Sequence, residues 1–294
     1  MVVGWVEESR YDVSGRTVAV RQAGDPGGKP VVFFHGTPSC RLDAAFADDL
    51  CAELGVRMVS FDRPGYGESP AAPFSLSSIA RDTASLADAL DVERFATLGQ
   101  SGGGPFSLAS AAVLGDRITR AGVAAGPAPY LEMPGLVDTL DDDDRKALAL
   151  LPDQEAAAAH FALGFEPFRQ LAHASDAEIL AGFKQMLSPH DGEVLDRPGL
   201  GGSLAAAMRH AMPHGTSGAG WDNVSWVGPW DVDLDAIRQP VHLWYGGADP
   251  LTPPDAGDWL DRRLPTATLV LRPGDGHTGV MEHAREVLET LVSD

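Results

Sequence analysis

Arg94-Phe95-Ala96-Thr97-Leu98-Gly99-Gln100-Ser101-Gly102-Gly103 carries an apolar run straight into a serine that has glycine two positions away on each side. The run from Arg94 to Leu98 reads as a buried strand, and Pro105 to Leu114, closed by Gly115, reads as a helix. G-x-S-x-G at such a junction is a nucleophile elbow, a turn tight enough to hold the serine at φ > 0 with its hydroxyl lifted clear of the sheet. Side chains at 99 and 103 would strike the neighbouring strand and helix, so glycine is the residue that fits. The Gly102 amide, at the positive end of the helix, then points toward a reacting carbonyl.

The same alternation extends to both sides. Upstream, Pro30 to Phe34 is apolar at every position, as in a strand covered on both faces, and Val56 to Phe61 repeats the pattern. Leu42 to Leu54, ended by Gly55, and Ser77 to Leu90 have helical spacing. Residues 1 to about 23 alternate around Ser14-Gly15, an edge hairpin. Downstream, Ile118 to Ala124 is a further strand, and then the rhythm breaks at Gly126-Pro127-Ala128-Pro129. Residues 129–230 carry only helical signals, including a helix start at Asp141-Asp142-Asp143-Asp144 whose carboxylates suit the helix dipole. Strands return at Pro240 to Gly246 and Thr268 to Leu271. Between them Thr252-Pro253-Pro254-Asp255 is a capping signature that opens a helix to Leu264, and Val280 to Leu291 is the last helix. These readings give an α/β fold with a mostly parallel, twisted eight-stranded sheet flanked by helices. The expected division is a core of 1–128 and 231–294 with a helical cap of 129–230 inserted.

Composition narrows the function. The chain has 294 residues, 44% apolar and 22% charged, with a net charge of −20. An acidic surface of that size disfavours nucleic acid and anionic membranes, both of which call for clustered Lys and Arg. No apolar run reaches the length of a membrane span, and Met1 to Glu8 lacks the basic and apolar regions of a signal peptide, so a cytoplasmic protein is expected. Cys40 and Cys51 are too few for a disulfide framework or a four-ligand zinc site and read as buried thiols; no metal or cofactor is expected. A monomer or homodimer acting on a small-molecule substrate fits these bounds.

A serine that attacks an acyl carbon needs a base to take its proton and a carboxylate to orient the base. In a parallel sheet all strand C-termini lie on one edge, so such groups should follow strands directly. Asp249 does so after Tyr245-Gly246-Gly247-Ala248, and His277 does so after Arg272-Pro273-Gly274-Asp275-Gly276. Asp275 is a rival acid, but two residues before the histidine it has little room to reach the far ring nitrogen. Two amides should face the developing oxyanion, Gly102 and Thr37, the latter in His35-Gly36-Thr37-Pro38 after the Pro30 to Phe34 strand. His35 is read as shaping that loop.

His35-Gly36-Thr37-Pro38, Asp62-Arg63-Pro64-Gly65-Tyr66-Gly67, Gly99-Gln100-Ser101-Gly102-Gly103, Gly247-Ala248-Asp249 and Gly276-His277 together resemble the α/β-hydrolase superfamily, in particular its cofactor-independent bacterial serine hydrolases with a helical cap. The resemblance covers residues 10–128 and 231–294 and implies Ser101 as nucleophile, Asp249 as acid, His277 as base, and Thr37 and Gly102 as oxyanion donors. Serine at 101 argues against the dehalogenases and epoxide hydrolases of the superfamily, which use aspartate there. The Gly-Gly-Ser-Trp-Gly elbow usual in proline iminopeptidases and the oxyanion-loop Phe usual in haloperoxidase-like members are both absent. The expected activity is cleavage of a small to medium, largely apolar carboxylic ester, lactone or thioester through an acyl-enzyme. Carbon–carbon bond hydrolysis or aminopeptidase action on the same triad, and ligand binding without turnover, are the alternatives. Trp226, Trp230 and Phe165 are taken as substrate contacts in the cap, among the segment's other Phe, Met and Trp side chains.

Overall fold

Alternating strands and helices assemble into one eight-stranded sheet in a computed structural model that describes residues 4–293. The first three residues of the expected hairpin and signal-peptide readings lie outside that range. The strands are β1 (Trp5–Val13), β2 (Arg16–Gly24), β3 (Lys29–Phe34), β4 (Val56–Phe61), β5 (Phe95–Gln100), β6 (Ile118–Ala124), β7 (Val241–Gly246) and β8 (Ala267–Arg272). Their order across the sheet is β1-β2-β4-β3-β5-β6-β7-β8. β1 and β2 form the expected antiparallel hairpin, with Val13 opposite Arg16 at the turn, and β2 joins β4 antiparallel. From β4 to β8 every pairing is parallel. The C-terminal ends of β3, β4, β5, β7 and β8 therefore share one edge, which gathers His35, Asp62, Ser101, Asp249 and His277.

The core helices are α1 (Asp48–Leu54), α2 (Leu76–Ala89) and α3 (Gly104–Leu114). Ser75 caps α2 through a reciprocal pair of hydrogen bonds with Ser78, and Gly55 ends α1 at φ 65°. Two cores result. Phe34, Phe61, Leu76, Ile79, Phe106 and Leu108 fill one face, whereas Val31, Phe33, Met58, Leu98 and Trp244 fill the other. Burying each of these large side chains contributes about 1.5–3 kcal/mol.

Between β6 and β7 lie α4 (Asp142–Leu148), α5 (Gln154–Leu163), α6 (Asp176–Lys184), α7 (Pro189–Leu195), α8 (Leu200–His210) and α9 (Ser217–Trp226), with no strand among these residues. The acidic run starts α4 as its charge suggests, with Asp141 accepting from the Asp143 and Asp144 amides. Ile179, Val194, Leu195, Leu204 and Met208 of α6 to α8 continue the second core, whereas Ala147, Phe161 and Val224 of α4, α5 and α9 belong to a separate cluster. The chain closes with α10 (Asp255–Arg263), α11 (Gly279–Glu282) and α12 (Ala284–Val292).

Three helix boundaries depart from expectation. Arg41–Ala47 is a 3₁₀ helix rather than the first half of an α-helix, because its ends are tied elsewhere. The Arg41 amide and guanidinium both bond Asp62, and Asp43 accepts from Gly36. Thr252 does not cap α10, which starts at Asp255 with Pro254 at the N-cap position; the Thr252 amide donates to Asp249 instead. The last helix is broken at His283, whose Nε2 is held by Asp275 at 2.8 Å.

Candidate active site

Ser101 follows β5 immediately at φ 52°, the left-handed conformation that the glycine spacing calls for. A β-carbon on Gly99 would lie 2.2 Å from the Gly103 carbonyl oxygen, and one on Gly103 would lie 2.1 Å from that of Phe34. Only hydrogen fits at either position. A β-carbon on Gly102 would sit 2.3 Å from Thr37 Oγ1 and 3.4 Å from Thr37 N, so the two amides expected to face an oxyanion are next to each other.

His277 Nδ1 lies 2.8 Å from Asp249 Oδ2, and both side chains are buried. The other oxygen, Oδ1, accepts from the amides of Leu251 and Thr252 at 2.8 and 3.0 Å, which fixes the carboxylate plane. With Nδ1 donating to the carboxylate, Nε2 is the free acceptor of the ring. Asp275 is spent on His283 instead. Ser101 and His277 line one cleft of about 70 Å³ with Gly36, Thr37 and Thr278.

The loop after β3 is held from three directions. His35 is fully buried, with Nδ1 2.8 Å from the Gly36 carbonyl and Nε2 facing the Arg63 amide. Burial, reinforced by the charge of Arg63, pushes its imidazole well below the ordinary value, so the ring is a neutral brace. Asp43, whose carboxyl is raised by burial, accepts from the Gly36 amide at 3.1 Å. Arg63 donates to the carbonyls of His35 and Gly36 at 2.7 and 3.2 Å. Its remaining donors reach Asp222 of α9 at 2.8 and 2.7 Å, an ion pair with no exposure on either side. The same Asp222 oxygen accepts from Thr37 Oγ1 and the Tyr66 hydroxyl, each at 2.6 Å.

A second buried carboxylate of the inserted segment meets the loop that carries His277. Asp191 Oδ1 accepts from the amide and the hydroxyl of Thr278, both at 2.7 Å. Its Oδ2 accepts from Ser188 Oγ at 2.7 Å, as part of the cap of α7. Burial alone would raise this carboxyl, yet the bonds from Thr278 and Ser188 hold it below the usual carboxylate value.

The apolar wall of the cleft comes from Phe183, Leu204 and Met208 of the segment and from Leu251 and Met281. Trp226, Trp230 and Phe165 are not in it. Trp226 packs on Tyr130 with ring centroids 5.9 Å apart and accepts on its carbonyl from Trp230 Nε1, while Phe165 packs on Phe168 beside Tyr66 and Met212. The reason is which helices reach Ser101: α6 and α8 do, while α9 lies on α5 and on the loop after β4. Arg63, Asp222, Asp43 and Asp191 received no role from sequence. Arg63 had a signal in its position two residues after β4, but a lone aspartate on a helix names no partner. Cys40 and Cys51 are buried free thiols, as expected.

His190, Asp275 and Glu282 also approach one another, but each is already paired: His190 with Glu282 at 2.7 Å, Glu282 with Arg197 at 2.6 Å, and Asp275 with His283. They form an ion-pair network that joins α7 to α11.

A parallel sheet with a strained serine after β5 and a histidine–carboxylate pair after β8 and β7 defines a class. The chain belongs to the alpha/beta hydrolase fold family of enzymes, whose model matches residues 29–284. Within it, the chain is 29% identical over 275 residues to a pimeloyl-[acyl-carrier protein] methyl ester esterase of Neisseria meningitidis, covering 90% of this chain and 92% of that one. It is 25% identical over 273 residues to a poly(3-hydroxyalkanoate) depolymerase of Ectopseudomonas oleovorans, covering 92% and 85%. Among solved structures, a bromoperoxidase of Bacillus anthracis superposes with a TM-score of 0.73 at 20% identity, over 98% of this chain and 100% of that one, a likeness of fold alone. Among the described residues no helix is long and apolar enough to cross a membrane.

Proposed function

We propose that the protein is a serine esterase that cleaves a small to medium, largely apolar carboxylic ester, lactone or thioester through an acyl-enzyme. The observation that carries this reading is the buried 2.8 Å bond between His277 Nδ1 and Asp249 Oδ2 in the cleft that holds Ser101. Ser101 Oγ attacks the acyl carbon while His277 Nε2 takes its proton. Asp249 stabilises the imidazolium, and the Gly102 and Thr37 amides bind the oxyanion. His277 then gives the proton to the departing alkoxide, and water, activated by the same ring, releases the acid.

In this reading residues 129–230 form a helical cap on a core made of the flanking segments. Phe183, Leu204, Met208 and Met281 favour an apolar acyl group, and a cleft of about 70 Å³ favours a compact one. The names of two relatives, a methyl ester esterase and a polyester depolymerase, support ester chemistry over the alternatives.

The test is hydrolysis of p-nitrophenyl acetate and butyrate by the wild type and by Ser101→Ala. A loss of at least about 10⁴-fold in the variant is expected, from the usual cost of removing a triad nucleophile. Equal rates would refute the reading.

A further inference from the structure

We infer that the inserted segment is a working part of the active site: Asp222 and Asp191 are positioning residues, each holding one half of the core's catalytic apparatus. Asp222 holds the oxyanion loop and Asp191 holds the histidine loop. The inference rests on the proposed roles of Thr37 and His277 only for its catalytic meaning; the clamping itself is independent of them.

The two carboxylates sit on different helices, α9 and α7, and each ends on a different core loop. Asp222 is fully buried, and a charge in that environment is strongly destabilising unless it is matched. Arg63 matches it, and Arg63 is also the group that grips the His35 and Gly36 carbonyls. Asp222 therefore fixes the guanidinium that fixes the loop, and in addition bonds Thr37 directly through Oγ1. Two independent links run from one carboxylate to the residue whose amide would face the oxyanion.

Among the described residues Asp191 has no ion-pair partner. Its two oxygens divide the work: Oδ2 closes the cap of its own helix, whereas Oδ1 crosses to Thr278, the residue after His277. A helix cap alone explains Oδ2 and leaves Oδ1 without a reason. Glycine at 276 is what allows the approach, because a β-carbon there would lie 1.9 Å from Asp191 Oδ2. His277 is thus held on its ring by Asp249 and on its backbone by the inserted segment. Displacement of a catalytic group by about 1 Å costs on the order of 10²-fold in rate, which sets the effect expected when either clamp is lost.

The experiment combines backbone amide exchange, which needs no turnover, with steady-state kinetics on a p-nitrophenyl ester. The proteins are the wild type, Asp222→Asn, Asp191→Asn and Asp176→Asn, the last removing an exposed carboxylate of the same segment. Exchange should speed up at residues 35–37 in Asp222→Asn and at residues 276–279 in Asp191→Asn, each leaving the other loop protected. In both variants kcat should fall on the order of 10²-fold with KM within a few-fold. Asp176→Asn should match the wild type in both measurements. Should Asp222→Asn not fold, with Arg63 left unpaired, Thr37→Val and Tyr66→Phe each remove one bond and keep the ion pair. Thr278→Val removes the hydroxyl bond to Asp191 and keeps the amide bond. These variants should show the same loop-specific loosening at smaller amplitude. Faster exchange confined to α9 or α7 with both core loops unchanged, or a loss expressed in KM with kcat kept, would overturn the inference. Absence of esterase activity in the wild type would refute the proposed function instead, and the exchange pattern would still decide the clamping.

Discussion

Gly276 and Asp191 are packed so closely that the glycine's missing β-carbon is the space the carboxylate occupies: the position it would take lies 1.9 Å from Asp191 Oδ2 and 2.4 Å from Ser188 Oγ. Both are buried groups held by several bonds, so neither can swing aside. Gly276→Ala should therefore shift the histidine loop, with kcat falling by about 10²-fold or more. Steady-state kinetics beside a thermal melt check this. A variant with wild-type kcat would show that the loop yields at no cost.

Gly102 makes the same argument on the oxyanion side. An alanine there would meet Thr37 Oγ1 at 2.3 Å and Thr37 Cβ at 2.9 Å, forcing apart the two amides proposed to bind the oxyanion. Loss of one such donor typically costs 10²–10³-fold in kcat, and Gly102→Ala is expected in that range. Because substrate binding is largely made elsewhere, KM should change little. A large rise in KM at unchanged kcat would place the role of this contact in binding.

His35 should make the fold sensitive to acid. Burial and the neighbouring Arg63 lower its pKa in the folded state, while the unfolded chain takes up the proton at the ordinary value near ~6.5. The stability it contributes is thus fully present above that value and is lost as pH falls below it toward the lowered folded pKa. The melting temperature should drop between pH 7 and 5, and His35→Asn, although less stable at pH 7.5, should show a shallower drop. Parallel slopes for the two proteins would exclude His35 as the titrating group.

Phe183 lines, together with Met208, both the cleft of Ser101 and an apolar groove of about 200 Å³ that includes Phe168, Leu171 and Met186. Phe183→Ala should join them and move the preference toward longer acyl chains, up to about four-fold per additional buried methylene at ~0.8 kcal/mol each. A series of p-nitrophenyl esters from acetate to octanoate measures this. An unchanged chain-length profile would mean that the acyl group takes another route.

The core of the fold was legible because its signals are local. Five consecutive apolar residues such as Pro30 to Phe34 have few homes other than a covered strand, and glycines at 99 and 103 report a close approach directly. The meeting of Asp249 with His277 was legible for a topological reason: a parallel sheet brings the ends of β7 and β8 to the edge where β5 ends, however far apart they are in the chain. The inserted segment offered no such rule. Trp226 and Phe165 have the size of pocket residues, but whether a large apolar side chain faces a ligand or its own helices depends on helix placement that periodicity does not encode. Asp222 and Asp191 were missed for a related reason. Each is a single carboxylate on a helix, and its meaning lies in a partner 159 residues away for Arg63 and 87 residues away for Thr278.

Covalent labelling tests most directly whether Ser101 is a nucleophile activated by His277. A fluorophosphonate should modify Ser101, seen by mass spectrometry as adduct on the peptide that contains it, and His277→Gln should suppress that adduct by several orders of magnitude. An unlabelled wild type, or a His277 variant labelled as fast as the wild type, would contradict the account.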